Sequence, residues 1–432
     1  FGPAAPQVAT GGMTDAVAPR WSEDCLTLNV ATPALTGARP VMFWIHGGGY
    51  RTGQGAIPWY NGARFAANGD IVVVSINYRL GALGFTDLRR FGSDYATSGV
   101  NGILDQIAAL EWVRDNIANF GGDPGKVTIA GESAGGFSVA TLLGSPRAQG
   151  LFRTAIPQSG AAHHTLPKAA AEVVTDRFLQ ALGVDDVIGL EAIDAAAILQ
   201  AQQVVSTDLE SGAGLNNALG VAVQPFYPVI DNDVLPESPL TAIKNGMGSN
   251  VPVLAGTNKD ETTLWGYGTV DDAKLERIAA SYGAESVLSV YRRERPNATA
   301  EDLVYALTTD HMFRIPAIRL AEAREGQSAA TYLYWFCWES RVANLRATHA
   351  LEIPFAFDNL DRGGVDDFIG PGEKPQAVAD AMHDAWTRFI RDGTPGWAAY
   401  TTKDRLTMRF DTESYVVSDP DGLERAAWEG LR

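Results

Sequence analysis

The sequence of 432 residues has little cysteine, few positive charges and no long apolar run. Its two cysteines, Cys25 and Cys337, lie far apart in unrelated contexts, which argues against a disulfide framework and against a metal site built on cysteine spacing. The chain carries 34 lysines and arginines against 51 acidic residues, which leaves a net charge of −17. Because like charges repel, this charge disfavours binding to nucleic acid or to an anionic membrane surface.

No apolar stretch reaches the roughly 18 residues that a membrane-spanning helix needs, and the start shows no basic-then-apolar signal pattern. A cytoplasmic protein with no membrane partner fits this sequence best. Apolar residues make up 46% and charged residues 20%, as is typical of a globular protein with a large core. Length alone would allow two or three domains, but large α/β enzymes often run this long as one.

A serine between two glycines is the most informative feature of the sequence. Residues 127–130 (VTIA) are typical of a strand, residues 131–135 (GESAG) follow, and residues 137–143 are apolar and compatible with a helix. Strand, Gly-x-Ser-x-Gly and helix in this order predict a nucleophile elbow, a sharp turn that presents the serine at strained backbone angles. The N–H groups at the start of the helix would face the oxygen of Ser133, which we interpret as the nucleophile.

Three consecutive glycines follow a second predicted strand. Residues 41–45 form an apolar run long enough for a strand buried on both faces, and His46, Gly47, Gly48, Gly49 and Tyr50 come next. A ligand oxygen can approach backbone N–H groups that no side chain shields. A phosphate cradle is disfavoured because the Lys and Ser/Thr of a P-loop are missing. The place beside the elbow favours an oxyanion hole over a plain flexible turn.

Strand and helix patterns alternate along the chain. Residues 71–76 predict a buried strand and residues 104–120 have helical spacing, shortly before the elbow strand. Strand, helix, strand in this order implies parallel strands with a right-handed crossover. Residues 154–158 predict a further strand that Pro157 would demote or end. Later patterns predict strands at 251–256, 330–336, 406–410 and 414–417, and a helix at 376–391.

The sequence therefore predicts an α/β fold with a mostly parallel central sheet flanked by helices. Two regions at about 161–248 and 268–325 read as helical insertions that form a cap over the active site. The first is rich in alanine and is interrupted by the Ser-Gly-Ala-Gly sequence at 211–214. Neither insertion suggests an independent core, so we expect one domain over residues 1–432.

A serine nucleophile needs a base, normally a histidine that a carboxylate orients, and in this fold the order is serine, acid, histidine. His349 lies in a loop downstream of the strand ending at Phe336, which is the required place. Asp260 and Glu261 both follow a buried strand, and spacing alone leaves the choice between them open. The other histidines precede the serine, open the insertion or fit helical patterns: His46, His163, His164, His311 and His383.

These motifs resemble those of the type-B carboxylesterase/lipase family, which includes bacterial para-nitrobenzyl esterases and the cholinesterases. The matching stretches occur in the family's order and span most of the chain: residues 23–30, 46–50, 77–81, 120–124, 131–135, 260–261 and 349–355. The resemblance implies an α/β-hydrolase fold. It also implies that Ser133, Glu261 and His349 are catalytic and that the backbone N–H groups of Gly48, Gly49 and Ala134 form the oxyanion hole.

Several other positions take a meaning from the resemblance. Ser159 matches a family serine that braces the acid, and Cys25 matches a cysteine that secreted relatives pair with an upstream partner. Because no upstream cysteine occurs, we read Cys25 as a buried free thiol. Family members usually carry edge strands of the sheet before this point, and because the sequence begins at Phe1 without a methionine, we expect the sheet to be described here without them.

Other residues near the expected site are interpreted as supporting the serine turn or lining the substrate pocket. Glu132 is interpreted as a hydrogen-bonded residue beneath the elbow, with a contribution to negative potential in the active-site gorge as the alternative. Tyr50 replaces the commoner Phe and would place a hydroxyl near the acyl pocket. The side chains that are candidates to line an apolar substrate pocket, although each also fits a core position, are Leu264, Trp265, Met312 and Phe313.

The predicted function is hydrolysis of a small-molecule carboxylic ester, short- to medium-chain or aromatic, through an acyl-enzyme and without a metal or organic cofactor. The same triad would serve an amidase or carbamate hydrolase. A non-catalytic binding protein of this fold is disfavoured because serine, acid, base and glycines are all retained. A lipase would need a strongly apolar lid, which the alanine-rich insertion does not offer. The sequence does not distinguish a monomer from a homodimer.

Overall fold

A computed structural model of the chain describes residues 1–9, 20–210 and 224–432, with the side chains of 208–210 left out. Its described residues contain one sheet of nine strands in the order β1-β3-β2-β4-β5-β6-β7-β8-β9. The strands are β1 (Leu28–Ala31), β2 (Arg39–Ile45), β3 (Val72–Ile76), β4 (Gly122–Glu132), β5 (Thr154–Gln158), β6 (Val253–Asn258), β7 (Thr331–Phe336), β8 (Leu406–Phe410) and β9 (Tyr415–Ser418).

The strands from β3 to β8 run parallel, and only β1 and β9 at the two edges are antiparallel. The continuous apolar run of β2 follows from burial on both faces. Because side chains alternate across a strand, Val41 and Phe43 join one core while Met42 and Trp44 join the other. The predicted α/β class with a mostly parallel sheet is confirmed.

Helices cover both faces of the sheet. The α-helices are α1 (Ala63–Gly69), α2 (Gly81–Phe85), α3 (Asn101–Asn116), α4 (Ala134–Leu143), α5 (Lys168–Leu182), α6 (Val187–Glu191), α7 (Ala195–Glu210), α8 (Pro239–Lys244), α9 (Asp272–Ser281), α10 (Glu285–Glu294), α11 (Ala300–Thr309), α12 (Ile315–Ala323), α13 (Ile353–Ala356), α14 (Asp366–Ile369), α15 (Gln376–Asp392) and α16 (Gly422–Ala427). A π-helical turn, Asp310–Arg314, joins α11 to α12. The long helix α15 ends at Asp392, one residue after the predicted end at Arg391, because Gly393 adopts the left-handed conformation that stops a helix.

The strand β5 corrects one expectation, since Pro157 neither ends it nor moves it to an edge. On either side of the proline, Ala155 donates its N–H to the carbonyl of Pro252 and Ser159 to that of Gly256, at 3.0 and 2.9 Å. The missing N–H of Pro157 therefore removes one bond between β5 and β6 and leaves the rest of the ladder intact.

The two predicted insertions fall between β5 and β6 and between β6 and β7. The first contains α5 to α8, while its residues 211–223, with the Ser-Gly-Ala-Gly sequence, lie outside the described residues. The second contains α9 to α12. Their role as a cap, and the single domain over residues 1–432, stay predictions.

The described residues also bear on membrane helices, metal-binding clusters and cysteines. Among the described helices, none has the length and apolar character needed to cross a membrane. In the described ranges, no three His, Cys, Asp or Glu side chains gather as a metal ion would require. Cys25 and Cys337 are both buried free thiols, and burial raises the pKa of Cys25 to about 11.

Candidate active site

The turn between β4 and α4 holds Ser133 at φ 56° and ψ −123°, a conformation that non-glycine residues rarely adopt. The serine N–H donates to the Gln158 carbonyl at 2.9 Å, and its carbonyl accepts from Phe137 N–H at 2.8 Å. A Cβ atom on Gly135 would collide with the Ile45 carbonyl oxygen, so the turn tolerates no side chain there. These contacts hold the serine, which is partly exposed, at the carboxyl edge of the sheet.

The glycine loop after β2 lies directly against this turn. A Cβ atom on Gly47 would lie 3.1 Å from the Cβ of Ser133, so the approach depends on glycine. Gly48 and Gly49 have φ values of 112° and 61°, and a Cβ atom on Gly49 would meet nothing within 4 Å. Among the described residues, no acceptor pairs with the N–H groups of Gly48, Gly49 or Ala134. Three donors are therefore available to an oxygen beside the serine.

The loop after β6 brings a carboxylate to the predicted base. Glu261 is fully buried, and its Oε2 lies 2.6 Å from Nδ1 of His349. The Oε1 atom of Glu261 accepts the N–H of Asn258 at 2.8 Å, and His349 N–H donates to the Glu261 carbonyl at 3.1 Å. The adjacent Asp260 makes no side-chain contact with the imidazole. Geometry thus distinguishes the two acids that spacing left open.

A second carboxylate lies on the other side of the imidazole. Oε1 of Glu132 is 3.0 Å from Nε2 of His349, although the two are not aligned as a hydrogen bond. The Oγ of Ser133 has no hydrogen-bond partner among the described residues. Catalytic hydrogen bonds are often long before substrate binds, so this does not remove the serine as a candidate nucleophile.

Burial and neighbouring charges shift the pKa values of these groups. Burial raises the pKa of Glu132 well above its usual range, because the charged form loses its hydration. Burial also opposes charge on His349, but Glu132 and Glu261 outweigh it and raise the pKa of the imidazole. The two shifts are coupled: a protonated Glu132 would no longer stabilise the imidazolium, so Glu132 and His349 titrate as a pair.

Three polar residues beneath this pair were not singled out by the sequence analysis. Glu352 is fully buried, and burial and Glu261 raise its pKa to about 7. Its carboxylate oxygens accept from Gln158 Nε2 at 3.1 Å and from Asn258 Nδ2 at 2.6 Å. The available signal was weak: Asn258 and Gln158 are polar residues at the carboxyl ends of buried strands, and Glu352 lies in a family-matching stretch.

Two of the four candidate pocket residues contact the imidazole. The rings of Trp265 and Phe313 lie 5.0 and 4.9 Å from that of His349, and they are nearly parallel to each other at 6.1 Å. Phe313, in the π-helical turn, is buried, whereas Trp265 is 54% exposed. Leu264 and Met312 are partly buried, and their place in the pocket stays a prediction. The result is an aromatic wall that runs from the surface to the imidazole.

Two expected contacts are not found. The Tyr50 hydroxyl lies in the core and accepts from Ser138 Oγ at 3.2 Å, because neighbouring aromatic rings enclose the side chain. The Ser159 Oγ has no hydrogen-bond partner among the described residues, and Asn258 N–H occupies the Glu261 oxygen instead. Tyr50 as a hydroxyl donor to the acyl pocket and Ser159 as a brace are therefore not supported by the geometry.

The remaining late histidines have structural surroundings. His311 stacks on Tyr282 with ring centroids 3.8 Å apart. His383 is buried, and its Nδ1 lies 2.9 Å from the Ala356 carbonyl oxygen. Neither contacts the carboxylates around His349 in the described part of the chain, in keeping with the prediction from helical spacing.

The sequence of the chain is similar to those of known carboxylesterases over most of its length. The model of the family described as "Carboxylesterase family" matches residues 1–421. The para-nitrobenzyl esterase of Bacillus subtilis is 37% identical, and the match covers 94% of this chain and 83% of that protein. The phenmedipham hydrolase of Pseudarthrobacter oxydans is 34% identical, with 99% of this chain and 86% of that protein covered.

Among solved structures, the carboxylesterase EST55 of Geobacillus stearothermophilus superposes with a TM-score of 0.86 at 40% identity. The superposition covers 99% of this chain and 88% of the other, and it confirms the predicted α/β-hydrolase fold. The chain therefore belongs to the carboxylesterase family and is an enzyme of the serine carboxylesterase class.

Proposed function

We propose that the chain hydrolyses carboxylic esters through an acyl-enzyme, with Ser133 as nucleophile, His349 as base and Glu261 as the acid that orients the base. The observation that carries this proposal is the 2.6 Å contact between Glu261 Oε2 and His349 Nδ1 in a buried site beside the strained serine turn. A buried carboxylate on Nδ1 fixes the tautomer in which Nε2 is free to accept a proton.

In the first half of the reaction, His349 takes the proton of Ser133 as the serine oxygen attacks the ester carbonyl. The imidazolium then gives this proton to the leaving alcohol, and an acyl group remains on the serine. In the second half, water attacks the acyl-enzyme with the same base and releases the acid. Glu261 stabilises the imidazolium in both halves, and no metal or organic cofactor enters these steps.

The negative oxygen of each tetrahedral intermediate would be held by the N–H groups of Gly48, Gly49 and Ala134. Their lack of acceptors supports this role, because the donors need not break a protein hydrogen bond first. Loss of one such donor typically costs on the order of 10²–10³ in rate. Since backbone donors cannot be removed by side-chain replacement, the loop conformation itself is the element to test.

The aromatic wall of Trp265 and Phe313 bears on substrate choice. Flat apolar surfaces next to the base suit an aromatic ring or a short- to medium-length alkyl chain of a small ester. We therefore propose p-nitrophenyl acetate, butyrate and octanoate, together with a p-nitrobenzyl ester, as substrates.

Replacement of the nucleophile tests the proposal. Ser133→Ala is expected to lower kcat for p-nitrophenyl butyrate by at least about 10⁴, since the acyl-enzyme cannot form. Ser145→Ala is a matched control, because this buried serine lies just after α4 and its hydroxyl donates to the Val234 carbonyl, away from the imidazole. Full activity in Ser133→Ala would overturn the assignment.

Amide or carbamate cleavage on the same triad is the second candidate. It is favoured by the 34% identity to the protein named phenmedipham hydrolase. Rates per active site on phenmedipham, on p-nitrophenyl butyrate and on the matching p-nitroanilide decide between the candidates. An ester rate that exceeds both others supports esterase action, and a higher phenmedipham or anilide rate supports the alternative.

A further inference from the structure

Asn258, the last residue of β6, is a fully buried side chain that the proposed reaction steps do not use. Its amide nitrogen donates two hydrogen bonds, to the Thr348 carbonyl at 2.7 Å and to Glu352 Oε2 at 2.6 Å. Its backbone N–H donates a third, to Glu261 Oε1 at 2.8 Å. One residue thus contacts the acid itself, the residue that precedes the base, and the buried carboxylate beneath both.

The loops that carry acid and base are also joined by two side-chain bonds at some distance from the imidazole, from Lys259 Nζ to Glu339 Oε1 at 2.9 Å and from Thr263 Oγ1 to Leu345 O at 2.6 Å. Two main-chain bonds link them: Asp260 N–H to Ala347 O at 3.0 Å, and His349 N–H to Glu261 O at 3.1 Å. None of these bonds engages the carbonyl of Thr348, the residue that precedes the base. The Asn258 amide is the side chain that reaches this carbonyl.

Glu352, which accepts from the Asn258 amide, is held in place by further hydrogen bonds. The second oxygen of Glu352 accepts from Gln158 Nε2 at 3.1 Å, and Gln158 Oε1 accepts from Trp386 Nε1 at 2.9 Å. The chain of bonds therefore runs from helix α15 through the end of β5 to the base loop. A fully buried part of the scaffold is thereby connected to the residue that precedes His349.

We propose that Asn258 is a positioning residue for ester hydrolysis, whose amide ties the base loop to Glu352 so that His349 keeps its 2.6 Å contact with Glu261 while it gains and loses a proton. This inference rests on the proposed triad. An amide suits the position because both of its N–H groups find acceptors here, whereas a carboxylate would have none to offer.

The same contact influences the charge around the base. The hydrogen bond from Asn258 lowers the pKa of Glu352 against the larger effect of burial. The titratable groups that face Glu352 are Glu261, His349, Tyr60 and Tyr334, and those that face His349 are Glu132, Glu261 and Glu352. Without the amide, Glu352 would hold its proton to higher pH, and His349 would lose one of the negative charges that favour its protonated form.

The test is Asn258→Ala in the full chain, with kcat, KM and the pH profile measured on p-nitrophenyl butyrate and normalised by active-site titration. We expect kcat to fall about 10- to 100-fold with KM changed less than threefold. The acid limb of the kcat/KM profile should move to lower pH, because a less basic His349 stays neutral further into acid.

Asn359→Ala is a closely matched control. Asn359 is equally buried, its amide donates to two main-chain carbonyls, of Trp59 and Asn61, at 3.0 and 2.9 Å, and its Oδ1 also has no partner in the described residues. It should lose comparable stability without moving kcat per site or the acid limb. A second variant, Asn258→Asp, keeps the shape, removes both N–H donors and adds a carboxyl group that faces Glu352, so its kcat reports on the loss of donation without a cavity.

The outcomes separate this inference from the proposed triad. A kcat per site that is lowered in both Asn258 variants and an acid limb that moves to lower pH in Asn258→Ala, with neither change in Asn359→Ala, support positioning. An unchanged kcat and acid limb in Asn258→Ala, or an equal change in Asn359→Ala, would overturn the positioning role of Asn258. If Ser133→Ala is inactive in the same assay, the proposed triad still stands. Activity retained in Ser133→Ala would overturn the triad first.

Discussion

The two halves of the candidate site are built differently. The half at the ends of β2 and β4 consists of the serine turn and the glycine loop, and it is defined by backbone conformation and by the absence of side chains. The half at the ends of β6 and β7 consists of Glu261, His349 and the polar residues beneath them, and it is defined by hydrogen bonds between side chains. The first half depends on sterics, and the second on charge and alignment.

This difference determines how each half should respond to substitution. In the backbone half, an added methyl group is the damaging change, because space is what the turn requires. In the side-chain half, a change that keeps the shape but alters hydrogen-bond donors should be the damaging one, since alignment and charge set the state of the base.

Glu261→Gln should cause the largest loss in the side-chain half. Its amide can donate to Nδ1 of His349, which would leave the proton on Nε2, where it blocks transfer from Ser133. We expect kcat for p-nitrophenyl butyrate to fall about 10³- to 10⁴-fold with the fold retained. Steady-state kinetics and circular dichroism on the same preparation check this.

Asp260→Asn is the control for that variant, because it alters the neighbouring acid that has no contact with the imidazole. Its kcat should stay within a fewfold of the original, as it leaves the Glu261–His349 contact in place. If Asp260→Asn were inactive and Glu261→Gln active, the acid would be assigned to the wrong residue.

Gly135→Ala should produce the strongest response in the backbone half. Its new methyl group would collide with the Ile45 carbonyl oxygen, which is fixed in β2 and cannot move aside as a flexible side chain would. We expect the free energy of unfolding to fall by about 1–3 kcal/mol and kcat to fall about tenfold or more. Urea unfolding and kinetics on one preparation measure both.

Gly363→Ala provides the comparison for that change. A methyl group at this position meets no atom within 4 Å, so stability and rate should both stay close to those of the original chain. Equal losses in the two variants would show that the response is not due to the collision at the serine turn.

The contrast also explains what the sequence could reveal. The serine turn and the glycine loop were predictable because small residues at adjacent positions leave a local pattern. The choice between Asp260 and Glu261 left no local pattern, since both follow the same strand. The family resemblance implied Glu261, and in the fold it is Glu261 that contacts His349. Gln158 and Glu352 are bonded across 194 positions, a distance at which no local pattern indicates a contact.

The expected place of the Tyr50 hydroxyl, which the geometry does not support, also depends on contacts between residues far apart in the chain. Tyr50 was expected to place its hydroxyl near the acyl pocket, but its ring packs among Tyr78, Phe85 and Tyr227, and its hydroxyl accepts from Ser138. A position next to a functional loop does not specify where a side chain points. Packing with residues far along the chain decides it, and that information is not local.

The smallest predicted effect concerns Glu132, which links the two halves, since it lies at the end of β4 and faces Nε2 of His349 at 3.0 Å. Glu132→Gln keeps the shape and removes the negative charge. Because that charge raises the pKa of His349, the pKa of the imidazole should fall in the variant. A neutral base then persists to lower pH, so the acid limb of the kcat/KM profile should move to lower pH while the plateau changes less than about tenfold.

Glu424→Gln is the control for this profile, because Glu424 is also buried but pairs with Arg295, at 2.6 Å, rather than with the imidazole. Its acid limb should coincide with that of the original chain. A limb that stays in place in Glu132→Gln, or that moves to higher pH, would contradict a charge effect on His349 and would leave Glu132 with a structural role beneath the serine turn. A shift found only in Glu132→Gln would show that the Glu132 carboxylate raises the proton affinity of His349. A residue of the backbone half would then influence the base in the side-chain half.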